Sequence, residues 1–264
     1  MAHTKEEKLK AFGDFLDVLD TLRVKCPWDR KQTNESLRPN TIEEVYELCD
    51  ALMASDDLNI CKELGDVLLH VAFYAKIGEE KGSFDMADVC RRLTDKLIFR
   101  HPHIYGEVTA DTPEQVSQNW EKIKQKEKEG NKSVLAGVPS ALPALIKAKR
   151  IQEKARNVGF DWEKREDVWD KVKEEVAEVE QEMSSNAENE SNHNLEAEFG
   201  DLLFAVINAA RLYGVDPENA LEHTNRKFIG RFNYIERKLK ESGRSFEDVS
   251  LEQMEELWQE AKSK

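Results

Sequence analysis

Eight carboxylates in this chain have the types and spacing to do chemistry. Glu44 and Glu47, then Glu63 and Asp66, fall in pairs three residues apart, and Glu175 with Glu178, then Glu198 with Asp201, repeat the pattern. Residues three apart on a helix share a face, so each helix would present two acids side by side. Two such helices packed antiparallel would bring four acids to one place. Like charges so placed repel and are costly to remove from water, so the arrangement calls for a cation. Oxygen-only ligands suit a hard ion such as Mg²⁺, with Mn²⁺ as a substitute, which takes one or two carboxylates plus waters and substrate phosphates. Four carboxylates have room for more than one ion, and a two-metal site stabilises both the attacking and the departing oxygen in a displacement at phosphorus.

An acidic pair alone is ordinary on a solvated helix face; the neighbours are what single these out. Val176 and Val179 flank the second set, and Leu202, Leu203 and Val206 follow Asp201, so the acids border apolar stripes. Gly65 and Gly200 each precede the aspartate by one residue. Glycine inside a helix costs about 1 kcal/mol relative to alanine, so its use twice implies a close helix approach or access for a ligand. A carboxylate-bridged di-iron centre would need two Glu-x-x-His elements. The chain lacks the two required, and His70 follows Glu63 and Asp66 at the wrong spacing.

Cations and aromatic rings supply the rest of a phosphate site. Lys96 and Arg100 are four apart, as are Lys227 and Arg231, so each pair shares a helix face. Arginine grips phosphate oxygens bidentately and lysine acts as a point charge. Asn225 and Arg226 are weaker candidates on neighbouring faces. Trp28, Trp120, Trp162 and Trp258 could stack on a nucleobase, a contact worth about 1–3 kcal/mol. Trp258 is the best placed, because it lies on the last helix of the chain. His101 and His103, around Pro102, read as polar loop residues.

The elements that must position these groups are helical. Apolar residues Leu9, Phe12, Leu16 and Leu19 recur at helical spacing up to Leu22, and Cys26-Pro27-Trp28-Asp29 ends that helix. Thr41 reads as the N-cap of the next, with Glu44 completing a capping box. Further helices are expected from near Asp57 to Ile77, Asp85 to Phe99, from Pro113 through Trp120, Leu145 to Arg156, Val168 to Met183, Leu195 to Tyr213, Pro217 to Glu241 and Leu251 to Ala261. The polar segment from Ser184 to Asn194 reads as a mobile loop. No convincing strand is present, so the fold class is all-α.

The two halves repeat each other. Glu43–Glu47 matches Glu174–Glu178, and Glu63–Leu68 matches Glu198–Leu203. Lys96 and Arg100 match Lys227 and Arg231, and Trp120 matches Trp258. The offsets for these four features are 131, 135, 131 and 138 residues, as an internal duplication with small loop insertions would leave them. The domains are expected at 1–125 and 144–264, joined by a linker over 126–143 rich in charge and then in Gly, Ser and Pro.

Composition narrows the function classes. The formal charge is −14, from 39 basic and 53 acidic residues, which argues against direct nucleic-acid binding. It leaves a phosphate substrate open, because bound divalent cations invert the local charge. No apolar run is long enough to cross a bilayer, and Met1 to Lys10 is polar, so the expectation is a cytoplasmic protein with no membrane association. Cys26, Cys49, Cys61 and Cys90 have no metal-ligand spacing and read as reduced thiols.

Taken together, Cys26-Pro27-Trp28-Asp29, Glu43–Glu47, Glu63–Asp66, Arg100-His101-Pro102-His103, Asn157–Trp162, Glu174–Glu178, Glu198–Asp201 and Lys227–Phe232 resemble the MazG family of nucleoside triphosphate pyrophosphohydrolases in its tandem two-domain form. The resemblance spans nearly the whole chain. It implies two MazG-like all-α domains, Mg²⁺, a homodimer, and cleavage of (d)NTPs to the monophosphate and pyrophosphate. It also implies that Glu175, Glu178, Glu198 and Asp201 bind metal, and that Lys171, Glu174, Lys227, Arg231 and Trp258 contact the nucleotide. Glu174 or Glu175 is the expected general base, and the second domain the main catalytic one. Where a second acid often precedes the E-x-G-D glutamate, this chain has Lys62 and Ala197. The alternative from another class is a helical nucleotide-sensing or protein-binding module, holding Mg²⁺ structurally without turnover.

Overall fold

Capping and burial decide where each helix starts. We describe a computed structural model of the chain, covering residues 2–110, 112, 115–116, 123, 133–185 and 193–263. Among them are α-helices and three single 3-10 turns, and no strand. Helix α1 (Lys5–Lys25) opens at a capping box between Thr4 and Glu7 and ends at Cys26, before Pro27.

Helix α2 (Asn34–Ala54) begins a full two turns earlier than expected. Its N-cap is Thr33, which forms a capping box with Ser36; Thr41 lies inside the helix, one turn before Glu44. The sequence supports both starts. The burial of Leu37, 2% exposed, and the Thr33 box outweigh the one hydrogen bond that Pro39 cannot make. Ser55, left-handed at φ 53°, and Asp56 then reverse the chain. Asp56 caps α3 (Asp57–Glu80). So short a connection between two packed helices makes an antiparallel hairpin. Helix α4 (Met86–Arg100), capped by Asp85, and the short α5 (Pro102–Tyr105) follow.

The second series is α6 (Ala144–Arg156), α7 (Val168–Ser185), α8 (His193–Leu212), α9 (Pro217–Glu241) and α10 (Leu251–Lys262). Helices α7 and α8 pack together as the counterpart of α2 and α3. Ser184 and Ser185 belong to α7, and His193 and Asn194 to α8, so the expected loop is shorter at both ends; residues 186–192 lie outside those described. The expected helix at Pro113, with Trp120, and the start of the expected linker also fall mostly outside them.

The chain divides into two compact units, Met1–Asp111 and Thr112–Lys264. The first buries Leu19, Leu37, Ala72, Phe73 and Ile77, with Phe15, Leu16, Leu69 and Tyr74 packed around them. The second buries Val168, Val172, Ala205 and Ala209 between α7 and α8, with Leu202 and Leu212 against them. Each fully buried Leu, Ile or Phe contributes about 1.5–3 kcal/mol, so each hairpin is held by its own core, and that core fixes which faces carry the acids.

Candidate metal centre

The first hairpin brings ligand atoms of Glu44, Glu63 and Asp66 within 4.8 Å of one another. The second does the same for Glu175, Glu198 and Asp201. These are equivalent residues of the two repeats: one acid from the first helix and two, three apart, from the second. Glu47 and Glu178 stand outside these close groups, each on the same helix face as its partner. Thus three of the four expected carboxylates converge in each unit, and the fourth stands beside them.

Burial makes the convergence unfavourable unless it is compensated. Glu63 and Glu175 are each only 5% exposed. In each, Oε1 meets a lysine: Lys62 Nζ at 2.8 Å from Glu63, and Lys171 Nζ at 2.8 Å from Glu175. In each, Oε2 is buried with no hydrogen-bond partner among the described residues. An orphaned buried carboxylate oxygen is costly, and a hard divalent cation is the partner its chemistry fits.

The electrostatics agree. Burial pushes the Glu44 carboxyl up, and the charges of Asp66, Glu47, Glu63 and Glu43 push it further. Glu178 is raised by hydrogen bonding with Glu175, then by burial and by the charges of Glu175 and Glu198, against the opposing charge of Lys171. Lys171 is raised by its bonds to Glu175 and Glu174, and Lys62 by its bond to Glu63. Each cluster thus holds more negative charge than the protein itself neutralises.

The lysines enter from opposite sides. Lys171 lies one turn before Glu175 on α7 and also pairs with Glu174 at 3.0 Å. Lys62 lies on α3 beside Glu63 and reaches Asp66 at 3.8 Å. Sequence reasoning treated Lys62 only as a missing acid; its adjacency to Glu63 and i,i+4 spacing to Asp66 were the signal. The glycines resolve differently from one of the two expectations. A Cβ on Gly65 or Gly200 would meet nothing within 4 Å, so close helix packing does not explain them, and open space lies beside each cluster.

The remaining site residues divide by unit. In the second, Arg231 on α9 stands 5.5 Å over the Trp258 ring of α10. Trp258 rests on Phe228 at 5.0 Å, Phe228 stacks on Phe232, and Phe232 stacks on Phe246. Lys227 is exposed one turn before Arg231. In the first unit, Lys96 is exposed and Arg100 half-buried on α4. His101 and His103 face each other at 5.5 Å between ring centroids.

Comparison with known proteins places this geometry. Residues 32–105 and 164–235 each match the MazG nucleotide pyrophosphohydrolase domain. The chain is 43% identical to the nucleoside triphosphate pyrophosphohydrolase/pyrophosphatase MazG of Thermotoga maritima over 95% of both chains. It is 43% identical to the nucleoside triphosphate pyrophosphohydrolase of Escherichia coli K12 over 90% of both. It is also 48% identical to the uncharacterized protein YabN of Bacillus subtilis, over 98% of this chain and 53% of that protein. Both matched segments contain one hairpin and its three converging acids, and the chain belongs to the MazG family of nucleotide pyrophosphohydrolases.

Proposed function

We propose that the protein hydrolyses nucleoside triphosphates, (d)NTPs, between the α- and β-phosphates, releasing the monophosphate and pyrophosphate with Mg²⁺ bound. The observation that carries this is the buried, unpartnered oxygen of Glu175 within a group of three carboxylates. Glu175, Glu198 and Asp201 would hold the ion, with Glu178 beside them, and Glu44, Glu63 and Asp66, with Glu47, would do the same in the first unit. When bound, the ion supplies Lewis-acid polarisation of the α-phosphate and lowers the pKa of the attacking water.

The chain's own residues position and neutralise. Lys171 holds Glu174 and Glu175 together, so that Glu174, half-exposed at the edge of the cluster, can take the proton from the attacking water. The water oxygen bonds to the α-phosphorus as the bond from that phosphorus to the bridging oxygen breaks, and pyrophosphate departs with that oxygen. Lys227 and Arg231 meet the charge on the leaving pyrophosphate. Trp258, beneath Arg231, offers a face to the base. Lys96 and Arg100 are the corresponding cations of the first unit.

A homodimer is part of the same reading. Leu64, Leu68 and Val71 form an exposed apolar stripe on α3, and Phe199, Leu203 and Val206 form its equivalent on α8. A second copy of the chain would cover such stripes. Among the described residues, no helix is long and apolar enough to cross a membrane.

Product analysis of the pure protein with each dNTP and Mg²⁺, with and without EDTA, tests the reaction. Monophosphate and pyrophosphate, lost on chelation, are expected. Diphosphate and orthophosphate would mean that a different bond is cut. Nucleotide binding without turnover would favour the sensing-module alternative.

A further inference from the structure

The two clusters match acid for acid, but the layer one helical turn below them does not. In the first unit, Thr41 lies three residues before Glu44 on α2, and His70 lies four residues after Asp66 on α3. These spacings keep them on the faces that carry the acids. Thr41 Oγ1 meets His70 Nδ1 at 3.0 Å and the Tyr74 hydroxyl at 2.6 Å. At the same repeat offsets the second unit has Val172, Ala205 and Ala209, which belong to its buried apolar core.

Thr41 has one hydroxyl hydrogen, and we assign it to the Leu37 carbonyl at 3.0 Å, the one partner that can only accept. Its oxygen is then only an acceptor for the other two contacts, so Tyr74 O–H and His70 Nδ1–H both donate to it. On this assignment His70 is the Nδ1–H tautomer, with its lone pair on Nε2. Burial lowers its pKa, against the opposing charge of Asp66, and favours the neutral ring. One oxygen on α2 thereby ties down two side chains of α3 immediately below the carboxylates. If the layer only filled space, the second unit shows that small apolar side chains suffice.

We propose that Thr41, His70 and Tyr74 are positioning residues that clamp α2 to α3 and set the spacing of Glu44, Glu63 and Asp66. The second unit achieves the same spacing by apolar packing alone. The proposal rests on the reading of the first cluster as a metal site. It gives the two sites different supports: a hydrogen-bonded clamp in one, an apolar core in the other.

The test uses the full chain carrying E198A and D201A, so that Mn²⁺ binding, read by electron paramagnetic resonance, reports the first cluster. T41V, which keeps shape and removes the shared acceptor, is expected to weaken Mn²⁺ binding about 10-fold. T41S, which restores the hydroxyl, should return affinity to near the parental value. Nitrogen-15 spectra of His70 should show hydrogen on Nδ1 and respond to Mg²⁺. Unchanged affinity in T41V, equal loss in T41S, or hydrogen on Nε2 would each overturn the clamp. Circular dichroism checks folding; should T41V not fold, H70N, which keeps a donor near the Nδ1 position, is expected to bind Mn²⁺ more tightly than H70A, and equal affinities would overturn it. No Mn²⁺ bound before Thr41 is altered would instead overturn the metal reading of the first cluster, and the clamp's role with it.

Discussion

Glu175→Gln should stabilise the protein without metal while removing its response to metal. Glu175 is 5% exposed, one of its oxygens is buried without a partner among the described residues, and carboxylate oxygens of Glu198 and Asp201 lie within 4.8 Å of its own. Relieving an unsatisfied buried group of this kind is worth about 1–3 kcal/mol. Against this, the variant loses its charged bond to Lys171, whose side chain is 39% exposed. Solvent screening at that exposure limits the loss to below about 1 kcal/mol. The net gain in EDTA is then at most about 3 kcal/mol, which for a chain of this size raises Tm by up to roughly 12 °C. Saturating Mg²⁺ reverses the order. At about 100 times its Kd an ion adds roughly 2.7 kcal/mol to a protein that binds it, and the variant lacks the ligand. Thermal unfolding of both proteins in EDTA and over a Mg²⁺ series reads both effects. A variant less stable than the parent in EDTA, or one that gains as much from Mg²⁺, would refute the reasoning.

Three further predictions rest on named contacts. On the proposed reading, Asp201→Ala and Glu178→Ala should each lower turnover by at least about 100-fold, with unchanged circular dichroism, because each would remove a metal ligand and not packing; near-normal activity in either would displace that residue from the site. Arg23 is 10% exposed, pairs with Glu80 at 2.8 Å and donates to the carbonyls of Asp29 and Gln32, so Arg23→Met should cost about 1–3 kcal/mol in denaturant unfolding. The Arg23 hydrogen bond holds the Glu80 carboxyl below its usual range, and burial only partly opposes it. Because the folded pKa is the lower one, this stabilisation is present above the ordinary carboxylate range and is lost as pH falls through the folded pKa. Glu80→Gln should therefore flatten the acid limb of the stability–pH curve, and an unchanged limb would count against the pair.

The all-helical fold was legible in the 3.6-residue apolar period, and the acid clusters in their i,i+3 spacing and repetition. Local signals sufficed there because each helix face is set by its own residues, and repetition removed the ambiguity of any single pair. The start of α2 was not legible. Thr41-x-x-Glu44 and Thr33-x-x-Ser36 are both plausible caps, and the choice falls to the burial of Leu37 against α1 and α3, which no local window contains. The trio of Thr41, His70 and Tyr74 joins residues 29 and 33 positions apart. Its members look unrelated until the hairpin is closed. The glycines before Asp66 and Asp201 carried two meanings in sequence, and only the open space beside them separates these.

Helix α10 holds Trp258 but buries none of its own residues. It is fastened through side chains: Trp258 on Phe228, Tyr234 donating to Glu260 at 2.5 Å, and Lys238 against Glu260 at 3.5 Å. Elements with so little buried surface open locally at far lower free energy than the whole molecule. The amide hydrogens of α10 should therefore exchange with solvent well before those of α7 and α8, and a protease should cut α10 before either of them. A nucleotide base seated on Trp258 would share this helix's fastening, so its residence time would be tied to how often α10 peels away.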